Sequence, residues 1–298
     1  MKLHLVALIV SIPIACQAWA QFQPAIGPPP NYKPSAQPSQ FPPLKISTPI
    51  GVSTNAQELK RLRALLVIDT QSNLADSVAL DRETMRRLLT TNLPADRLGL
   101  TILQGKDATP ARVLDYYRNL QTGPDEAILF YYAGHGAFDN VNGHAGNHFL
   151  TMEAGSLDRQ TLFKAMQVKR AGLIVLLTDC CSDIVDLQGA ADVKTKDGGT
   201  AQARQLQHLA RCLFFQHRGI VDITAAWVGS SAYCDTQVGG FFTASLGRVA
   251  SAPAQYFPNG GRDFVTWAAF RLQVNDQMIR TYSMPRTSKI QMSFQFPR

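Results

Sequence analysis

The chain reads as an α/β domain: a three-layer sandwich with a mostly parallel central sheet flanked by helices. Three observations carry that expectation. The runs ALLVID (64–69), EAILFYY (126–132) and AGLIVLLTD (171–179) are continuously apolar, as strands buried on both faces of a parallel sheet are. Segments with helical spacing of apolar residues fall between such runs, so strand and helix alternate along the chain. Finally, 45% hydrophobic and 17% charged residues over 298 positions is an ordinary globular balance, enough for one large core.

Residues 1–20 stand apart from that domain. Lys2 gives a positive start, Leu3 to Cys16 is almost wholly apolar, and Ala18-Trp19-Ala20 fits the small-x-small cleavage pattern of a secretory leader, which predicts a mature chain beginning at Gln21. A membrane anchor, the competing reading, asks for a longer apolar stretch and a basic run behind it. A lipid on Cys16 would want Leu or a similar residue where the chain has Pro13. No later stretch is long and apolar enough to span a bilayer, so the protein is expected to be secreted or periplasmic. Residues 21–57 read as a linker: nine of the 17 prolines fall in 21–50, a composition that favours extended chain and builds no core.

Residues 58–298 form the folded domain. After the first strand, Val78, Leu80, Met85, Leu88 and Leu89 mark a helix over 76–90, and LGLTIL (98–103) is the second strand. Thr109-Pro110 opens a helix to Leu120, with proline in the first turn. The third strand, 126–132, is followed by a shorter one at 148–154, a helix from Ser156 to Met166 and the strongest buried strand, 171–179. A polar, glycine-bearing loop occupies 189–203. Then come an amphipathic helix (204–215), a strand (219–226), a helix (241–249), a Pro/Gly loop (251–261) and a last helix (265–279) before an extended tail.

The formal charge of +7 comes from singly scattered Lys and Arg, with no basic run and no interleaved aromatic pattern, so no nucleic-acid partner is expected. Without the leader, four cysteines remain: 180, 181, 212 and 234. That is no disulfide framework for a domain of this size. Cys212 and Cys234 are either a bridge or two buried thiols, and neighbouring Cys180 and Cys181 are poorly placed to bond to each other.

The chemistry concentrates at two strand ends. EAILFYY runs directly into Ala133-Gly134-His135-Gly136, and AGLIVLLTD into Cys180-Cys181-Ser182. Ligands of open α/β sheets bind beyond the carboxyl ends of strands, so both groups meet at one sheet edge if these strands are parallel neighbours. A thiol attacks as a thiolate, which a neighbouring imidazole generates or stabilises, and the same imidazole then protonates the leaving amine. The oxyanion formed needs fixed N–H donors, for which the amides of Gly136 and Cys181 are the candidates. A metal centre is the other reading for this stretch. His135, His144, His148, Cys180 and Cys181, however, match no C-x-x-C or H-E-x-x-H spacing, and no metal or organic cofactor is expected.

YYAGHG (131–136) followed by LLTDCCS (176–182) resembles the caspase, metacaspase and paracaspase superfamily, as do GIVDITAA (219–226), GSSAYCD (229–235) and GGFFTASL (239–246) downstream. The likeness covers about Arg61 to Arg280. The 46 residues from His135 to Cys181 compare with about 50 in caspases. The resemblance implies a caspase-like sandwich and a cysteine endopeptidase acting on protein or peptide substrates. In it Cys181 is the nucleophile, because the family places Asp, here Asp179, two residues before it. His135 is the base, and the Gly136 and Cys181 amides form the oxyanion hole. In metacaspases and paracaspases that Asp also lines an acidic pocket for Arg or Lys at P1. A second acid comes from the helix after the first strand, where Asp81 is the match. In the groove-lining segment, where paracaspases carry a third acid, this chain has Cys234, with Asp235 one residue along. The family's H-S-G after the nucleophile is replaced by Ser182-Asp183-Ile184. The alternative class is a caspase fold kept as a non-catalytic binding module. The loop 189–203 sits where caspases are cut during maturation, so it is expected to be either an ordinary surface loop that stays uncut, as in single-chain members of the superfamily, or a site of self-cleavage after Lys194, Lys196 or Arg204.

Overall fold

A computed structural model of the chain describes residues 57–141, 144–180, 203–282 and 290–295. In chain order the elements are β1 (Arg61–Ile68), α1 (Ala75–Asn92), β2 (Leu98–Gln104), α2 (Pro110–Asn119), β3 (Glu126–Ala133), β4 (Gly136–Val141), β5 (His144–Met152), β6 (Gly155–Asp158), α3 (Arg159–Gln167) and β7 (Leu173–Asp179). Then follow α4 (Ala203–Phe215), β8 (Gly219–Thr224), β9 (Cys234–Asp235), β10 (Gly239–Gly240), α5 (Phe241–Ser251), α6 (Pro253–Tyr256), α7 (Trp267–Thr281) and β11 (Gln291–Gln295).

Six strands build the central sheet in the order β11-β8-β7-β3-β1-β2, all parallel except β11, which runs antiparallel along β8. This is the α/β architecture that the apolar runs imply. Strand alternation sorts the side chains into two cores. Leu62, Ala64, Leu66 and Ile68 of β1 join Leu129 and Tyr131 of β3 and Val175 and Leu177 of β7 on the face covered by α1, α4, α5 and α7. Leu65, Val67, Phe130, Tyr132, Ile174 and Leu176 face the other way, against α2, α3 and residues of β5 and β6. Trp267, 1% exposed, anchors α7 to α4 by donating its indole N–H to the Leu213 carbonyl at 2.8 Å.

Local chemistry sets the helix starts. Thr109 accepts from the Arg112 N–H at 3.2 Å, with Pro110 behind it in the first turn. Asp158 caps α3 through the N–H groups of Gln160 and Thr161. Helix α3 therefore begins three residues later than the helical spacing suggested, and Ser156 belongs to β6. Strand β4 is absent from the sequence expectation. Asp139 and Asn140 interrupt its apolar pattern, and it exists through antiparallel pairing with β5. At the start of α3, Arg159 grips the Asp222 carboxylate of β8 and approaches Thr178 Oγ1 at 3.3 Å, tying α3 to the carboxyl end of β7.

Candidate active site

Strands β3 and β7 are parallel neighbours with Ala133 opposite Asp179, and the Gly134 N–H reaches the Asp179 carbonyl at 3.3 Å. The two reactive segments thus leave the sheet side by side. His135 follows Ala133 by two positions, as Cys181 follows Asp179. Cys181, the candidate nucleophile and oxyanion donor, lies outside the described residues, as do Lys194 and Lys196.

The His135 backbone is clamped. Its carbonyl accepts from the Thr151 N–H at 2.9 Å and from the Tyr132 hydroxyl at 2.8 Å, and that hydroxyl also contacts the Thr151 carbonyl. The second tyrosine of the YY pair is thus a brace for the histidine loop. The half-buried His135 ring places Nε2 2.7 Å from the Asn73 amide oxygen. An imidazole that donates Nε2–H to a carbonyl keeps Nδ1 as its basic nitrogen, the state a general base needs. Burial lowers the His135 pKa below its usual 6.5, opposed by the Asp69 carboxylate, which favours the neutral ring at neutral pH. Asn73 is a site residue that sequence reasoning missed, because a lone Asn in a polar turn after a strand carries no distinctive signal.

Alternation along β7 sends Asp179 and Cys180 to opposite faces. Cys180, 2% exposed, joins the core on the α2–α3 side. Its sulfur lies 3.7 Å from Nε2 of His148, whose ring stacks on Phe138 at 4.4 Å between centroids. Gly136 fits tightly beneath it, since a Cβ there would stand 2.7 Å from the Cys180 sulfur and 2.9 Å from the Phe149 carbonyl. The glycine is therefore also required by packing. Sequence reasoning had named Cys180 and His148 only among metal-ligand types; here they form a thiol–imidazole pair embedded in apolar side chains. Such burial shields the sulfur from substrate.

Asp179 turns to the opposite face and meets the start of α5. Its Oδ2 accepts from the Thr243 N–H at 3.0 Å and from the Thr243 hydroxyl at 2.6 Å. That hydroxyl in turn lies 2.6 Å from the Tyr131 OH, which must donate to it because the threonine proton is committed to the carboxylate. An anion at a helix N-terminus is favoured by free N–H groups and the helix dipole. Asp81 of α1 reaches the same place, accepting from the Gly240 N–H at 2.8 Å. Both carboxylates press on the Gly239–Gly240 turn. A Cβ on Gly240 would collide with Asp179, so only glycine lets β10 pass between the acids. Burial raises the Asp179 pKa to about 6 against the pull of Thr243. Burial, then the Asp179 charge, pushes Asp81 well above the usual carboxylate range.

Asp235 lies on the same side. Its Oδ1 accepts from the Gln237 N–H at 3.0 Å and its carbonyl contacts the Ser77 hydroxyl at 3.4 Å, while burial raises its pKa. Cys234, one residue earlier, is partly exposed and does not bridge to the buried Cys212.

The geometry thus joins a braced imidazole and a carboxylate cluster at one sheet edge. Among solved structures, the chain is similar to caspase-1 from Spodoptera frugiperda. The two are 10% identical, the match covers 80% of this chain and 88% of that one, and the TM-score is 0.49. No family model and no curated protein matches the chain. Among the described residues no helix is long and apolar enough to cross a membrane.

Proposed function

We propose that the protein is a secreted cysteine endopeptidase in which Cys181 attacks the scissile carbonyl and His135 acts as its base. The observation that carries this reading is the β3–β7 register, with Ala133 opposite Asp179, which puts the histidine loop beside the segment that leads into Cys181. In the proposed mechanism Nδ1 of His135 takes the thiol proton, the thiolate adds to the carbonyl carbon, and the backbone N–H groups of Gly136 and Cys181 receive the oxyanion. The imidazolium then protonates the leaving amine, and water, activated by the same ring, hydrolyses the thioester. Asp81 and Asp179, with Asp235 beside them, form a pocket for an Arg or Lys side chain at P1. An N-terminus at Gln21 in the exported protein, read by mass spectrometry, tests secretion.

Profiling the purified domain against a peptide library, with Cys181→Ala as control, tests the activity. Cleavage after Arg or Lys supports the pocket assignment, and cleavage after Asp overturns it. A protein that neither cleaves peptides nor is labelled at Cys181 by a thiol-directed peptide analogue would be a binding module instead.

His135→Ala is expected to lower kcat by about 10²–10⁴-fold with little change in melting temperature, because the ring lies past the end of β3 and outside both cores. Asn73→Ala should cost about tenfold in kcat, since it frees the ring without removing it. Single-turnover kinetics and thermal denaturation on the same preparations separate the two effects. Wild-type turnover in His135→Ala would remove that residue from the mechanism.

The 181–202 segment either stays uncut in the active enzyme or is cut by it, in which case Lys194 and Lys196 are the expected sites. Arg204 is the weaker site, because it lies in the first turn of α4, where the backbone is helical rather than extended. Mass spectrometry of wild-type and Cys181→Ala protein after incubation reads the result. An intact, active wild type shows that processing is not required, and equal fragmentation of both proteins points to a contaminating protease.

A further inference from the structure

The carboxylate cluster is bordered by aromatic rings that neither the catalytic mechanism nor the acidic residues explain. Phe241, the first residue of α5, follows directly on Gly240, whose N–H binds Asp81 and whose Cα rests against the Asp179 carboxylate. Its own N–H bonds the Tyr233 carbonyl at 2.8 Å, which fixes the ring relative to the turn. The Phe241 ring lies almost parallel to that of Tyr282, with centroids 3.9 Å apart and 8° between planes. Tyr282 stands just beyond α7, its N–H closing the helix on the Met278 carbonyl at 3.1 Å, and both rings are partly exposed. Burial raises the Tyr282 pKa, and the charges that reach its hydroxyl are first that of Arg248, on the same helix as Phe241, and then those of Asp235, Asp81 and Asp179. Three carboxylates and a stacked pair of aromatic planes therefore border one region, contributed by α1, the end of β7, the β9–β10 turn, α5 and the end of α7.

That combination distinguishes between cations. An ammonium is a compact, strongly hydrated point charge that carboxylates alone can hold. A guanidinium is flat, delocalised and weakly hydrated, offers its N–H groups in the plane, and leaves two faces that stack on aromatic rings. We propose that the Phe241–Tyr282 pair makes this pocket selective for arginine over lysine, the rings carrying the guanidinium plane while the carboxylates take its N–H groups. The inference rests on the reading of Asp81, Asp179 and Asp235 as the P1 site.

The test compares kcat/KM on two peptides that differ only in Arg or Lys at P1. Wild type is expected to favour Arg. Tyr282→Leu should lose more on the Arg peptide than on the Lys peptide, so the ratio falls about three- to tenfold, the range of a partly desolvated cation–π contact. Tyr282→Phe, which keeps the ring, should retain the wild-type ratio. A wild type with no preference for basic residues overturns the pocket itself. A wild type that cuts after both residues, with an unchanged ratio in Tyr282→Leu, leaves the pocket and overturns the role of the rings. Equal loss on both peptides overturns it as well, since Tyr282 would then only pack α7 on α5. If Tyr282→Leu does not fold, competitive inhibition of the wild type decides: n-butylguanidinium should inhibit more strongly than n-pentylammonium, and equal inhibition overturns the proposal.

Discussion

Cys181→Ala is expected to lower peptide turnover at least about 10⁴-fold while leaving the melting temperature unchanged, and Cys180→Ala is expected to do the reverse. Removing the nucleophile's sulfur abolishes the covalent step and leaves only what binding and oxyanion stabilisation provide. Cys180 is different because of where its sulfur lies. It is 2% exposed, against the His148 ring and the Cα of Gly136, in the core beneath β5 and β6. Replacing it by alanine opens a gap about the size of a methyl group, at a cost of about 1–2 kcal/mol, beneath the backbone of Gly136 rather than in the path of substrate. Turnover and thermal denaturation of both variants provide the check. An inactive Cys180→Ala beside an active Cys181→Ala would transfer the nucleophile to Cys180 and the base to His148.

Asp179→Asn is expected to cut kcat/KM on Arg substrates about a hundredfold or more and, at the same time, to stabilise the free protein at alkaline pH. The first effect follows from leaving a substrate cation in a buried site without its charged partner. The second follows from linkage. Burial raises the Asp179 pKa from 3.8 to about 6, so the folded chain holds this proton more tightly than the unfolded chain. The resulting stability is complete below about pH 4 and is lost as pH rises through 6, roughly 2–3 kcal/mol in all. Asparagine accepts the same hydrogen bonds from Thr243 and never ionises, so its gain in melting temperature over wild type should grow between pH 4.5 and pH 8. The activity profile has the opposite sense. Below about pH 6 the protonated pocket no longer attracts a cation, so kcat/KM on Arg substrates falls relative to a substrate with an uncharged P1 residue. His135 affects both substrates alike, so the ratio isolates the pocket acids, and comparison with Asp179→Asn separates Asp179 from Asp81 and Asp235. A ratio independent of pH from 5 to 8, or equal losses on both substrates in Asp179→Asn, would remove Asp179 from the pocket.

The mostly parallel sheet, its interior strands and the shared carboxyl edge expected for the histidine and cysteine segments are legible in the chain, whereas the strand order and the sorting of side chains into two cores are not. Runs such as EAILFYY and AGLIVLLTD need two covered faces, which only an interior parallel strand has, and the residues that leave their carboxyl ends then share an edge. Asp179 and Asp81 were legible as acids only through the family resemblance. No local pattern says that an acid on a helix and another at a strand end will press on the same glycine turn.

Contacts between residues far apart in sequence decided the rest. Asn73 meets His135 across 62 positions and Thr243 meets Asp179 across 64, each through a hydrogen bond whose partners have no local signature. Tyr282 reaches the pocket only because α7 packs on α5. The parity that turns Asp179 toward α5 and Cys180 toward His148 is implicit in strand geometry, but what stands on each side is not. The order of the residues determined the sheet and the edge at which chemistry occurs, because burial and periodicity are properties of neighbours along the chain. Which side chain orients the base, which thiol is buried and which rings border the acids were decided by tertiary packing, because those are properties of neighbours in space.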